Sequence, residues 1–168
     1  EDGESVVTVP TLPLEPGLSF AAFLERLPNI LAGEDLRRAT DAIVLARRKG
    51  RSVALGMGAH PIKVGLSPLI IDLMERGILT SVALNGAGII HDCEMAASGK
   101  TSEDVGPGLD RGKFGMAHET GAVLNKTIRQ GARKGMGIGE AVGQQIARGR
   151  YPHRDRSILA AGARLGIP

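Results

Sequence analysis

Two short apolar runs, SVALGM (52–57) and LTSVAL (79–84), flank one strongly punctuated helical segment, and few folds accept that order. Each run carries apolar residues on both of its faces, the pattern of a strand buried in a parallel sheet. Between them, LSPLIIDLMERG sets Leu66, Leu69, Ile70, Leu73 and Met74 on one helical face. Ser67 is the expected N-cap, Pro68 the first helical residue and Gly77 the C-cap. Strand, helix and strand in this order predict a parallel βαβ unit. A second strand-turn-helix follows at once, because the run 79–84 leads through NGAGIIHDCE (85–94) into a helix over about 89–97.

The remaining pattern is helical. Ser19 caps a helix that Pro28 stops, and a second helix over 34–49 ends in Arg47, Arg48 and Lys49 with Gly50 beyond, as the helix dipole prefers. Further helices are expected over 116–133, 138–148 and 155–165, after a glycine-rich loop over 99–115. Residues 1–18, with prolines at 10, 13 and 16, read as an extended N-terminal arm, and 19–168 as part of one domain. Two strands against about seven helices make too small a sheet for that many helices to cover. The final GARLGIP reads as a helix end followed by the start of another strand. The expectation is an α/β fold, a Rossmann-like parallel sheet with helices on both faces, incomplete in this chain, which is the N-terminal portion of a longer protein.

Composition narrows the function. Lysine and arginine (21) barely exceed aspartate and glutamate (18), and there is one tyrosine and no tryptophan. Neither a basic surface nor stacking platforms for nucleic acid are expected. Cys93 stands alone, so the chain has no internal disulfide and no cysteine zinc cage, which fits a reducing, cytoplasmic setting. No apolar run approaches the roughly 20 residues that span a bilayer, so no membrane partner is expected.

Chemistry concentrates at the turns GMGAHPIK (56–63) and NGAGIIHDCE (85–94), which leave the carboxyl ends of the two strands. In open α/β sheets that edge binds ligands, and helix N-termini there attract anions. Gly56 and Gly58, then Gly86 and Gly88, form two Gly-x-Gly pairs that permit close backbone approach. Pro61 and His91 stand where the dinucleotide fingerprint has its third glycine, so the pattern reads equally as two tight turns. On a helix His91 and Glu94 share a face while Asp92 lies about a quarter-turn away, and both acids also suit a helix N-terminus. A metal site here would need His60 or His118 as further ligands. Thr101 and Asp104 have capping-box-like spacing, and FGMAHETGAVLN (114–125) sets His118 and Glu119 early in a helix. GMGIGEAVG (135–143) reads as a helix-helix turn and RYPHRDR (150–156) as a solvated loop.

The segment ALGMGAHPIKVGLSPLIIDLMERGILTSVALNGAGIIHDCEMA, followed by TSED and FGMAHET, resembles the deoxyhypusine synthase family. The likeness is to its bacterial deoxyhypusine-synthase-like branch above all, and runs from about residue 40 to the end. The resemblance implies an NAD-binding Rossmann-like fold in a homotetramer with active sites between subunits. It also implies an NAD-dependent transferase of the aminobutyl type, acting on a polyamine-related small molecule through an imine on a lysine. Cofactor contacts then fall on Gly58, Ala59, His60, Asn85, Gly86, Ala87 and Gly88, with Gly56, Ser102, Glu103 and Asp104 completing the set. His91, Asp92, His118 and Glu119 are the expected catalytic residues. Gly58-Ala59-His60 replaces a Thr-Ser-Asn run of the synthases, and Ile90-His91-Asp92 replaces two glutamates before an aspartate, so an altered amine substrate is expected. The family's catalytic lysine falls beyond Pro168, which leaves this segment inactive by itself. Two other readings stand beside it: a metal-dependent hydrolase using His60, His91, Asp92 and His118, and a non-catalytic assembly or regulatory homologue.

Overall fold

The computed structural model describes residues 16–101 and 118–168. The expected contacts at Ser102, Glu103 and Asp104 and most of the arm lie outside the described residues, as do the side chains of His118 and Glu119. The chain forms two compact units, Glu1–Arg51 and Ser52–Pro168.

The first unit is a helical corner. α1 (Phe20–Arg26) starts where Ser19 Oγ accepts the Ala22 N–H, and α2 (Leu31–Arg48) follows after a short turn. Arg37 of α2 reaches back to the carbonyls of Glu25, Leu27 and Pro28 and to Asn29 Oδ1, holding the turn. The left-handed Gly50 closes α2, with the Arg51 N–H donating to the Ala46 carbonyl. Neither helix buries a residue, and Leu36, Ile43, Val44 and Leu45 of α2 are exposed.

The second unit is mixed α/β and mostly helical, around a parallel pair of strands, β1 (Ala54–Met57) and β2 (Ser81–Leu84). The register pairs Ala54 with Ser81 and Met57 with Leu84, so both strands end level with each other. Between them lie α3 (His60–Lys63) and α4 (Ser67–Glu75), and after β2 come α5 (Gly86–Ser98), α6 (His118–Ala132), α7 (Ile138–Arg148), a 3-10 turn at Arg154–Arg156 and α8 (Ile158–Leu165). Ile62, Ile70, Ile71, Met74, Leu79, Ile158 and Ala161 form one core, against which Leu55, Met57 and Val82 of the sheet pack. A second core joins Cys93 and Ala96 of α5 to Leu124, Val142, Ile146 and Ala160 of α6, α7 and α8.

Three expectations need correction. The strands are not buried on both faces: Ala54, Gly56 and Ala83 are exposed on the face opposite Leu55, Met57 and Val82. Ser67 is not the cap of α4. The chain comes out of α3 already near-helical, so Leu66 (φ −83°, ψ −2°) takes the cap position without a capping side chain. Ser67 moves inside the helix, where its Oγ is buried without a hydrogen-bond partner among the described residues. HPIK, expected as part of a turn, closes into the single helical turn α3. At the other end of the unit, α8 stops at the left-handed Gly166, and the Val82 N–H donates to the Pro168 carbonyl at 2.9 Å, setting that residue beside β2.

Candidate functional site

The level strand ends bring the two glycine turns together. Gly58 follows β1 and Asn85 follows β2, and a Cβ at Gly58 would lie 3.5 Å from Asn85 Nδ2. Gly56, Gly58, Ala59, His60, Asn85, Gly86, Ala87 and Gly88 therefore share one sheet edge, as the parallel pairing requires. His60 is exposed at the start of α3.

Asn85 decides where α5 begins. Its Oδ1 accepts the Gly88 N–H at 2.9 Å, so the helix starts at Gly86, three residues before the apolar periodicity announces it. Two consequences follow. The Asn85 carbonyl oxygen is committed to the helix, leaving its amide nitrogen on the Gly58 side. Asp92 and Glu94 are no longer first-turn residues: the first turn of this 13-residue helix contains no acid of its own. Asn85, Gly86 and Ala87 are exposed. A Cβ on Gly86 would meet nothing within 4 Å, whereas one on Gly88 would press to 3.3 Å on Leu84. Gly88 is thus small to let α5 sit on β2, and Gly86 has no such internal reason.

Asp92 turns the other way. It is fully buried, and its carboxylate accepts from Ser157 Oγ (2.5 Å), the Ile158 N–H (2.8 Å) and the Leu159 N–H (3.2 Å). Ser157 Oγ in turn accepts the Ala160 N–H, so Asp92 and Ser157 together cap α8. The expectation that Asp92 faces a ligand beside His91 gives way to this role, because both oxygens are taken up within the protein. Burial lifts the Asp92 carboxyl above its ordinary range, and the bonds from Ser157, Ile158 and Leu159 oppose the lift. Nothing in the sequence near residue 92 announced a partner some 65 positions away.

His91 and Glu94 do share a face, with Nδ1 and Oε2 2.9 Å apart and both side chains about four-fifths buried. Cys93 is buried in the second core, and burial, followed by the Asp92 and Glu94 carboxyls, pushes its thiol up, so it is no thiolate nucleophile. His153, expected in a solvated loop, lays its ring against Gly99, where a Cβ would stand 2.9 Å from Nε2. His118 and Glu119 begin α6. Among the described residues no three His, Cys, Asp or Glu side chains group to hold a metal, and Asp92 is unavailable to the hydrolase set proposed from the sequence. No described helix is long and apolar enough to cross a membrane.

A cavity of about 330 Å³ lies elsewhere in the unit, walled by Met74, Val82, Leu84, Ile158 and Leu159 with Glu140 and Gln144. It takes in none of the residues expected at the site. Neither a scan against protein-family models nor a search of curated proteins finds a match for the chain.

Proposed function

We propose that the carboxyl edge of β1 and β2 is a dinucleotide site of the Rossmann type, that its ligand is NAD, and that the protein is a deoxyhypusine-synthase-like transferase acting on an amine-bearing small molecule. The observation that carries this reading is the open N-terminus of α5 beside the Gly58 turn: free of acidic residues, exposed from Asn85 to Ala87, with space over Gly86. Backbone N–H groups there suit a pyrophosphate, and Gly86 lets it approach. When bound, NAD supplies a hydride acceptor. The chain's own residues bind and orient: Gly58 and Gly86 keep the edge low, and Asn85 fixes the helix end. His91 stands in the second turn of α5, and the start of α6 supplies His118 and Glu119. Assembly of several copies, a tetramer by the resemblance, belongs to the same reading.

Calorimetric titration of NAD tests the site. Because a Cβ at Gly86 would meet nothing within 4 Å, Gly86→Val is expected to leave the fold intact and obstruct the ligand. It is expected to weaken NAD binding by about 2 kcal/mol, roughly 30-fold, the scale of an overpacked contact. Equal affinity in the two proteins, or no binding to either, overturns the reading.

A further inference from the structure

We propose that Glu94 is a positioning residue that holds the neutral His91 ring as the Nδ1–H tautomer and so leaves its Nε2 as a proton acceptor for a ligand bound at the α5 turn. The inference rests on reading that turn as the ligand edge. A carboxylate only accepts hydrogen bonds, so the 2.9 Å contact between Nδ1 and Glu94 Oε2 requires the proton to sit on Nδ1. Neutral imidazole then carries its lone pair on Nε2, for which no described residue provides a hydrogen bond. Helical side chains lean towards the N-terminus, and His91 lies one turn beyond Ala87 and Gly88 on α5. Ala87 is exposed at that turn, and Gly88 carries no side chain. The group served is a hydroxyl or ammonium of a ligand bound at the edge. Its proton passes to Nε2, and the resulting imidazolium keeps its Nδ1–H on the Glu94 carboxylate, which gains by the new charge. The i, i+3 spacing by itself would equally give a surface ion pair; the burial of both side chains and the bond through Nδ1 favour the oriented base.

Nitrogen-15 NMR of the histidine rings of the 168-residue chain reads the tautomer directly, with no ligand or activity needed. At alkaline pH, where the histidine rings are neutral, His91 is expected to show a protonated Nδ1 and an unprotonated Nε2. Free imidazole side chains prefer the opposite tautomer, so Glu94→Ala is expected to reverse the ratio by about 10-fold or more, the effect of one charge-assisted hydrogen bond. NAD affinity in Glu94→Ala is expected to be unchanged. A neutral wild-type ring protonated at Nε2 overturns the proposal, as does an unchanged ratio in Glu94→Ala. Should that variant not fold, the wild-type tautomer decides. Loss of the NAD reading would leave these spectra as they are, so the two failures are distinct.

Discussion

Asp92→Ala is expected to lower folding stability by about 3–5 kcal/mol, because a hydroxyl and two backbone N–H groups in a closed interior lose their acceptor together, each worth roughly 1–3 kcal/mol when left unpaired. The damage reaches beyond residue 92. Asp92 and Ser157 cap α8, and α8 supplies Ile158 and Ala161 to one core and Ala160 to the other, so one carboxylate ties both cores of the unit together. Urea unfolding measures the loss, and a change under about 1 kcal/mol would mean the cap is dispensable. The pH dependence has a definite sign. Burial raises the folded-state pKa of Asp92 above its unfolded value, so the stability it contributes is complete below the unfolded value and declines as pH rises through the folded one. The gap between wild type and Asp92→Ala is therefore expected to widen on mild acidification from neutral pH towards the ordinary carboxylate range. Other carboxylates cancel in the subtraction. A gap that narrows instead would show that the three donors outweigh burial.

The same residue marks how far the sequence could be read. The strands were legible to within two residues, the apolar runs 52–57 and 79–84 overshooting β1 and β2 only at their starts, and the helix ends at Arg48, Ala132 and Arg148 fall within a residue of those expected. That the turns 56–60 and 85–88 meet followed from parallel order alone. What stayed hidden were features whose cause lies elsewhere in the chain. Asp92 looked like one member of a cluster with His91 and Glu94, since sequence spacing gives the face of a helix but not which face the interior takes. Ser67 looked like a cap because the rule for N-caps assumes an extended approach, and α3 removes it. The start of α5 was misplaced by three residues because Gly86 and Gly88 are poor helix formers, and Asn85 overrides them. The exposed face of Ala54, Gly56 and Ala83 shows that small residues suited to burial do not themselves bring anything to bury them.

Glycine in α7 offers a sharper contrast between what composition suggests and what packing requires. Gly139 and Gly143 lie one turn apart on that helix, and a helix-propensity argument treats them alike, with alanine favoured at both by roughly 0.5–1 kcal/mol. Their surroundings separate them. A Cβ at Gly143 would stand 2.3 Å from the Leu159 carbonyl oxygen and 3.2 Å from Ala163 Cβ, whereas one at Gly139 would meet only Leu159 Cδ2, at 3.9 Å. The obstruction at 143 is backbone of α8, whose N-terminus is already pinned by Asp92 and Ser157, so the helices cannot part without disturbing that cap. Gly143→Ala is accordingly expected to cost about 3 kcal/mol, the upper range for overpacking, while Gly139→Ala is neutral or stabilising by up to roughly 1 kcal/mol. Thermal and urea unfolding of the two single variants check the pair, and equal effects would mean that α7 and α8 cross less closely than the Gly143–Leu159 approach requires. Coupling supplies the last step. With Asp92→Ala already in place, α8 is free to shift, so adding Gly143→Ala is expected to cost less than it does in wild type, and strict additivity of the two losses would show that cap and crossing act independently.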